Sequence, residues 1–219
     1  MTDARDPGVD RSGGVDAGLP EVARAVDWPD AEAIKRYVDI LIDRGISWGL
    51  LGPREAPRIW ERHILNSVAL APLLPSGSTM VDVGSGAGLP GLPLALLRPD
   101  LRVSLLEPLL RRFDFLELAV SELDLGSRVT VVRGRAEDHR GRYDIVTCRA
   151  VALLPRLLAW CLPLVGSGGR LVALKGSSAP EEIEAASDAL RRAGAVATVA
   201  RLAVPGVEEE TRAIVVERS

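Results

Sequence analysis

Hydrophobic and polar positions alternate in two different rhythms along this chain. In WPDAEAIKRYVDILIDRG, residues 28–45, Ile34, Tyr37, Val38, Leu41 and Ile42 follow the i, i+3, i+4, i+7, i+8 spacing of an amphipathic helix. Gly45 suits the C-terminal cap of that helix. WGLLGPRE then reads as a loop. APRIWERHILNSVALAPLL reads as a second helix that buries Ile59, Trp60, Ile64, Val68 and Ala71. It turns Arg58, Arg62 and Asn66 outward and leaves His63 at the margin of its buried face.

From residue 79 the rhythm changes to short apolar runs alternating with helical stretches. TMVDVG, RVSLLEP, RVTVVRGR, YDIVTCRA, GRLVALKG, VATVARLAV and TRAIVVER read as strands. Helices fit between them at 89–98, 108–123, 150–164 and 180–193. Only PGVEEE separates the last two strands. A parallel crossover needs a dozen or more residues, so this pair must form a hairpin. The expectation is an α/β fold with a seven-stranded, mostly parallel sheet flanked by helices and closed by a C-terminal antiparallel hairpin. Residues 1–20 carry Gly, Asp and Pro with few large apolar side chains and read as a disordered tail. Residues 21–75 form an N-terminal helical segment, and residues 76–219 the α/β domain.

Composition narrows the class. Hydrophobic content of 47% with 26% charged residues fits a soluble globular protein. No run approaches the roughly 20 apolar residues of a membrane helix. The polar, acidic N-terminus is unlike a signal peptide, so a cytoplasmic location is the default and no membrane partner is expected. Cys148 and Cys161 make neither a disulfide framework nor a zinc site, and no metal is expected. The net charge of −3 is unevenly spread: eight acids and three arginines in residues 1–32 give −5 there, which leaves +2 for the rest. Only Lys35 and Lys175 among the 27 basic residues are lysines. Arginine suits planar recognition of phosphates and bases, and an Arg-rich chain equally reflects GC-rich coding.

The candidate chemistry begins where the first strand meets four glycines, Gly84, Gly86, Gly88 and Gly91, in VDVGSGAGLPG. No Lys-Ser/Thr follows them, which excludes a P-loop. GAGLPG matches G-x-G-x-x-G, but Asp82 precedes the turn and would meet a pyrophosphate with the wrong charge. A carboxylate there suits a ligand with nearby positive charge, such as the sulfonium and ammonium of S-adenosylmethionine. Glu107 ends the second strand, where it can hold the two ribose hydroxyls of an adenosine. Glu137 and Asp138 follow the third strand, placed for an adenine edge. A lone acid after a strand is a solvated turn residue; acids after three consecutive strands, beside a glycine turn, describe a nucleoside site. Gly84 and Gly86 form the tight turn itself.

VDVGSGAGLPGLPLALLRPD, LLEPLLRRFDFLEL, GRAED, RAVA and ALKG, preceded by ERHILNS, resemble the RsmG (GidB) family, the bacterial small-subunit ribosomal RNA guanine-N7 methyltransferases, in a form similar to the actinobacterial branch. The resemblance covers about residues 33–218, and GLPGLPLA is its most specific part. It implies the class I methyltransferase fold, S-adenosylmethionine as cofactor, and cofactor contacts at Gly84, Leu89, Ala136, Glu137 and Arg149. It also implies a guanine in the 530 loop of 16S rRNA as target, presented by the small ribosomal subunit or an assembly intermediate, and a monomeric enzyme. Two departures from the family pattern fall at WGLLGPRE and at Asn66, where many members have Asp.

Guanine N7 has a free lone pair, so the transfer needs no general base, only orientation and electrostatic fit. The chain accordingly lacks the Asn/Asp-Pro-Pro-aromatic motif of exocyclic-amine methyltransferases. Arg149, His63 and Lys175 are the candidates to act on the target: Arg149 at the cofactor and base, His63 in RNA docking, Lys175 on RNA phosphate or the base. Arg58 and Arg62 would form a phosphate-contacting face, and Trp48 is the tryptophan placed for base stacking. A plain ion pair is the alternative for Arg149, and a solvated, acid-paired face for Arg58 and Arg62. Two other activities fit the cofactor half: a small-molecule methyltransferase, and an RNA cytosine-C5 methyltransferase using Cys148 as nucleophile. Cys148 lacks the preceding proline usual in such sites and reads first as a plain buried strand cysteine, and a non-catalytic nucleotide-binding module is the alternative for the fold as a whole.

Overall fold

The computed structural model describes residues 18–149, 151–204, 207, 208 and 210–218. In chain order the elements are α1 (Glu21–Arg24), α2 (Ala31–Ile40), α3 (Asn66–Val68), β1 (Thr79–Val83), α4 (Gly91–Leu97), β2 (Arg102–Glu107), α5 (Leu110–Glu122) and β3 (Val129–Arg133). There follow β4 (Tyr143–Arg149), α6 (Leu154–Cys161), β5 (Val165–Lys175), α7 (Ala179–Ala185), α8 (Ser187–Ala193), β6 (Ala195–Leu202) and β7 (Thr211–Arg218).

The seven strands make one sheet in the order β3-β2-β1-β4-β5-β7-β6. The β3, β2, β1, β4 and β5 neighbours are parallel. β7 runs antiparallel between β5 and β6, so the short connection before it does form a hairpin. The expected fold class is the one found.

Strand alternation divides the core into two layers. Met80, Val103, Leu105, Ile145, Val172 and Leu174 face one side, where α4, α5 and the N-terminal helices pack. Val81, Leu106, Val146, Leu171, Ala173 and Val216 face the other, under α6, α7 and α8. GLPLALL of α4 is apolar on all sides and nearly all buried, because it lies between the sheet and the N-terminal helices. The N-terminal helices therefore share the sheet's own core. That core includes Leu19, which the sequence assigns to the tail; residues 1–17 lie outside the described part of the chain.

The N-terminal helices depart from the expected pattern in a way that shapes the site. Asp30 caps α2 by accepting from the Ala33 N–H at 2.9 Å. Ile34, Tyr37, Val38 and Leu41 are buried as expected, but Ile42 is 40% exposed. A π-helical turn at Leu41–Gly45 adds a residue to the turn and rotates Ile42 out of the seam. Gly45 is buried in that turn, and Gly49, at φ +71°, supplies the left-handed residue. The second expected helix is four pieces: a 3₁₀ segment at Pro53–Arg58, a π-helical segment at Ile59–Leu65, α3, and a 3₁₀ turn at Ala71–Leu73. The changed winding turns His63 inward. Only 8% of it is exposed, and the marginal position read from an ideal α-helix is corrected.

Candidate active site

The site is built at the C-terminal edge of the parallel strands, where β1 enters the glycine turn. Asp82 is fully buried. Its Oδ2 accepts from the Gly91 N–H at 3.0 Å, while its buried Oδ1 has no partner among the described residues. A Cβ on Gly91 would lie 2.9 Å from Asp82 Oδ2 and 2.5 Å from Leu105 Cδ2, so only glycine allows helix α4 to start this close to the strand. Burial pushes the Asp82 carboxyl up to about 7, against the pull of the Gly91 N–H, Ser85 and Arg149.

Glu107, at the end of β2, is also buried. Its two oxygens each accept a backbone N–H at 3.0 Å, one from Gly86 and one from Leu109. Gly86 stands at φ +58°, and this conformation aims its N–H at the carboxylate. Glu107 thus ties two neighbouring loops together, and each oxygen keeps a second lone pair for a hydroxyl donor.

Arg149 ends β4 and shares the sheet face of Asp82, as alternation requires. Its Nη1 donates to Nδ1 of His63 at 2.9 Å. His63 Nε2 lies 2.8 Å from Oε2 of Glu55. Burial, followed by the Arg149 charge, lowers the His63 pKa. The hydrogen bond from His63 lowers that of Glu55. Burial also lowers that of Arg149.

Glu107, Arg149 and the glycine turn line a cavity of about 540 Å³, within the usual range for a small-molecule site. Gly84, Gly86, Leu89, Glu107 and Arg149 line it as expected. Leu50, Leu51, Arg112, Arg135 and Val151 line it too, and the sequence reading missed them. An apolar Leu-Leu pair between Gly49 and Gly52 was the available signal for the first two. Asp82 stands behind this wall. Ala136 is buried and Glu137 exposed in the turn after β3, and neither lines the cavity.

One sequence expectation requires correction, and one alternative falls away. Lys175 is on the opposite sheet face from Arg149, because β5 directs Leu171, Ala173 and Lys175 toward α7. Its Nζ donates to Oε2 of Glu182 at 2.6 Å and to the Ala152 carbonyl at 2.9 Å, so it is not free for RNA phosphate. Cys148 is buried beside Cys161, which raises its thiol pKa well above the usual range together with burial, and it cannot serve as a thiolate nucleophile. Trp48 packs edge-on against Phe115, ring centroids 6.0 Å apart, rather than standing free. Arg58 and Arg62 are exposed, and Arg62 lies 3.6 Å from Glu55. Asn66 donates to the Thr211 hydroxyl at 2.9 Å and so joins the N-terminal segment to β7. Among the described residues no cluster of three or more His, Cys, Asp or Glu is arranged to hold a metal ion, and no helix is long and apolar enough to cross a membrane.

A family model described as rRNA small subunit methyltransferase G (GidB) matches residues 30–215. The chain belongs to that family. It is a methyltransferase that uses S-adenosylmethionine, on the class I fold. Proteins called ribosomal RNA small subunit methyltransferase G from Kineococcus radiotolerans and Mycolicibacterium smegmatis are 50% and 52% identical to it. These matches cover 85% and 81% of this chain and 74% and 77% of the relatives. The relative from Corynebacterium jeikeium is 49% identical over 91% of each chain. Among solved structures, a ribosomal protein L11 methylase from Lactobacillus delbrueckii subsp. bulgaricus superposes with a TM-score of 0.56 at 13% identity, covering 71% of this chain and 77% of that one. A precorrin-6y C5,15-methyltransferase from Geobacter metallireducens gives 0.52 at 18% identity, covering 78% and 91%. At such identities the likeness shows the fold alone.

The residues present fit the cofactor. The glycine turn lets backbone approach a ligand, Glu107 keeps acceptor capacity for hydroxyls, and the orphaned Asp82 oxygen favours positive charge nearby.

Proposed function

We propose that this chain transfers the methyl group of S-adenosylmethionine to N7 of a guanine in the 530 loop of 16S rRNA, acting as a cytoplasmic monomer on the small ribosomal subunit or an assembly intermediate. The observation that carries the reading is the match to small-subunit rRNA methyltransferases across residues 30–215, in a chain whose cavity presents Arg149 and Glu107 beside the glycine turn.

The bound cofactor supplies a methyl group activated by a positive sulfur. The chain's own residues supply position and field. Glu107 holds the turn at Gly86 and offers its free lone pairs to hydroxyl groups. Gly84, Gly86 and Leu89 shape the wall. Arg149 is a fixed cation whose donors suit guanine O6, which leaves the N7 lone pair free, or a carboxylate. N7 attacks with its own lone pair, so none of these residues has to accept a proton. His63 agrees with that requirement, because its Nδ1 lone pair is taken by the Arg149 N–H and its Nε2 faces Glu55. Ala136 and Glu137 remain proposed for the adenine end, on the family pattern.

The match to rRNA methyltransferases weighs against the small-molecule alternative, and the cytosine-C5 alternative loses its nucleophile with Cys148 buried. The experiment is to map N7-methylguanine by chemical cleavage in small-subunit rRNA from cells with and without the gene, and to repeat the mapping after methylation with the purified chain. A modification restored at one guanine of the 530 loop is expected. Methylation at a cytosine, or none on RNA, would refute the reading.

A further inference from the structure

Arg149 is a half-buried cation held by an imidazole rather than by a carboxylate. Among the described residues it has no ion pair, and its one hydrogen bond goes from Nη1 to His63 Nδ1 at 2.9 Å. A guanidinium can only donate. Nδ1 must therefore carry the lone pair, and the ring proton must sit on Nε2. That N–H donates to Oε2 of Glu55 at 2.8 Å. The order of protons is fixed along the whole line: Glu55 accepts, His63 passes on a neutral ring, Arg149 donates. Glu55, Arg62 and Arg149 are the charged groups set against the ring.

The line crosses between two parts of the chain. Glu55 belongs to the 3₁₀ segment and His63 to the π-helical segment, whereas Arg149 ends β4 and lines the cavity. Its Nε and Nη2 make no hydrogen bond among the described residues. A guanidinium on a long side chain loses much rotamer freedom when it is held at one end, and that ordering is complete before substrate arrives.

We propose that Glu55 and His63 are positioning residues for methyl transfer: Glu55 fixes His63 in its neutral, Nε2-protonated form, and His63 fixes Arg149 so that its remaining N–H groups are presented to the cavity. The N-terminal segment thereby completes the site that the sheet begins. The claim about substrate rests on the proposed function, but the claim about the ring does not.

The test has two arms. The chain has two histidines, so ring-nitrogen shifts of isotope-labelled histidine in the full chain are assigned with one variant, His139→Gln. Between about pH 5 and pH 8 His63 is expected to carry its neutral-ring proton on Nε2 and to stay neutral further down in pH than an ordinary histidine, and Glu55→Ala is expected to abolish the Nε2 preference. A proton on Nδ1, or an ordinary titration across this interval, overturns the proposal. In the second arm, single-turnover methylation of small subunits is measured for Glu55→Ala, Arg149→Ala and the double variant. Glu55→Ala should slow transfer about tenfold, the scale of one hydrogen bond to a charged group, and Glu55→Gln, which keeps an acceptor, should recover most of it. In the Arg149→Ala background Glu55→Ala should change nothing further; multiplied losses overturn the positioning role. A parent chain that methylates no RNA defeats the proposed function alone, and the ring measurement then decides the relay.

Discussion

The Tyr37 hydroxyl donates to the Ala87 carbonyl at 2.7 Å, across 50 residues of sequence. Tyr37 is completely buried in α2, and Ala87 lies in the glycine turn that faces the cavity. Burial raises the phenol pKa well above its usual value, so the hydroxyl stays a donor throughout the working pH range. The N-terminal helix is thus bonded to the glycine turn itself. Tyr37→Phe removes the donor and leaves a buried carbonyl unpaired, and about 1–3 kcal/mol of stability should be lost. Affinity for S-adenosylmethionine should fall with it, because the turn is less ordered before binding. Urea denaturation and calorimetry measure the two effects. A variant matching the parent in both would show that the contact does not organise the turn.

Lys175 and Glu182 support a different expectation. Their side chains are 9% and 15% exposed, and Glu182 also accepts from the Leu154 N–H at 3.3 Å. Removing one partner of a buried pair leaves the other charge uncompensated. Lys175→Ala should therefore cost about 3–5 kcal/mol, while the salt dependence of small-subunit binding stays unchanged. Denaturation midpoints and binding across a salt series check both. A shallower salt slope in a variant of normal stability would restore Lys175 to the RNA interface.

Parity explains much of what could and could not be read from the sequence. The strand rhythm, the closing hairpin and the glycine turn were legible because period two and short connections leave few alternatives. Gly84, Gly86, Leu89, Glu107 and Arg149 reach the cavity for the same reason: each sits at a strand end or in a turn. Lys175 also ends a strand, but its side is set by register with β4 and β7, which a single strand does not reveal. His63 and Ile42 were misplaced because ideal α-helical spacing was assumed where π-helical turns occur. Glu55 carries no distinguishing signal in the sequence. Its bond to His63 spans eight residues and depends on the 3₁₀ and π winding of that segment, which no periodicity records.

Asp82 makes stability depend on pH in an unusual direction. A carboxyl of ordinary value near 3.8 is pushed up to about 7 by burial. Between about pH 4 and pH 7 the folded state keeps a proton that the unfolded chain releases, so stability falls as pH rises. The contribution is fully present below about pH 4 and lost above about pH 7, on the order of 4 kcal/mol. Asp82→Asn keeps an acceptor for the Gly91 N–H and cannot ionise. Its stability relative to the parent should rise between about pH 5 and pH 8, as measured by urea denaturation at both values. Parallel curves would mean that Asp82 is ionised throughout. A cationic ligand should in turn draw the proton off, so binding of S-adenosylmethionine near neutral pH should release a proton. Calorimetry in buffers of different ionisation heat would detect it.

The last prediction concerns the form in which RNA is recognised. Outside residues 1–32 the net charge is only +2, and two basic side chains assigned to RNA are engaged within the chain. Lys175 is held by Glu182, and Arg62 lies 3.6 Å from Glu55. Arg58 remains exposed, and Arg112 and Arg135 stand at the cavity mouth. Few phosphate contacts are available, and affinity from counterion release scales with their number. Recognition must then depend on the shape of a folded target that presents one guanine to the cavity. Methyl incorporation from labelled cofactor should be poor on guanosine, weak on naked 16S rRNA and rapid on small subunits lacking the modification. Arg58→Ala should lower the salt slope of small-subunit binding by about one, without changing cofactor affinity. Equal rates on all three substrates would rule out recognition by shape. Rapid methylation of free guanosine would instead make the cavity a complete small-molecule site, with Leu50, Leu51 and Val151 as its apolar cover.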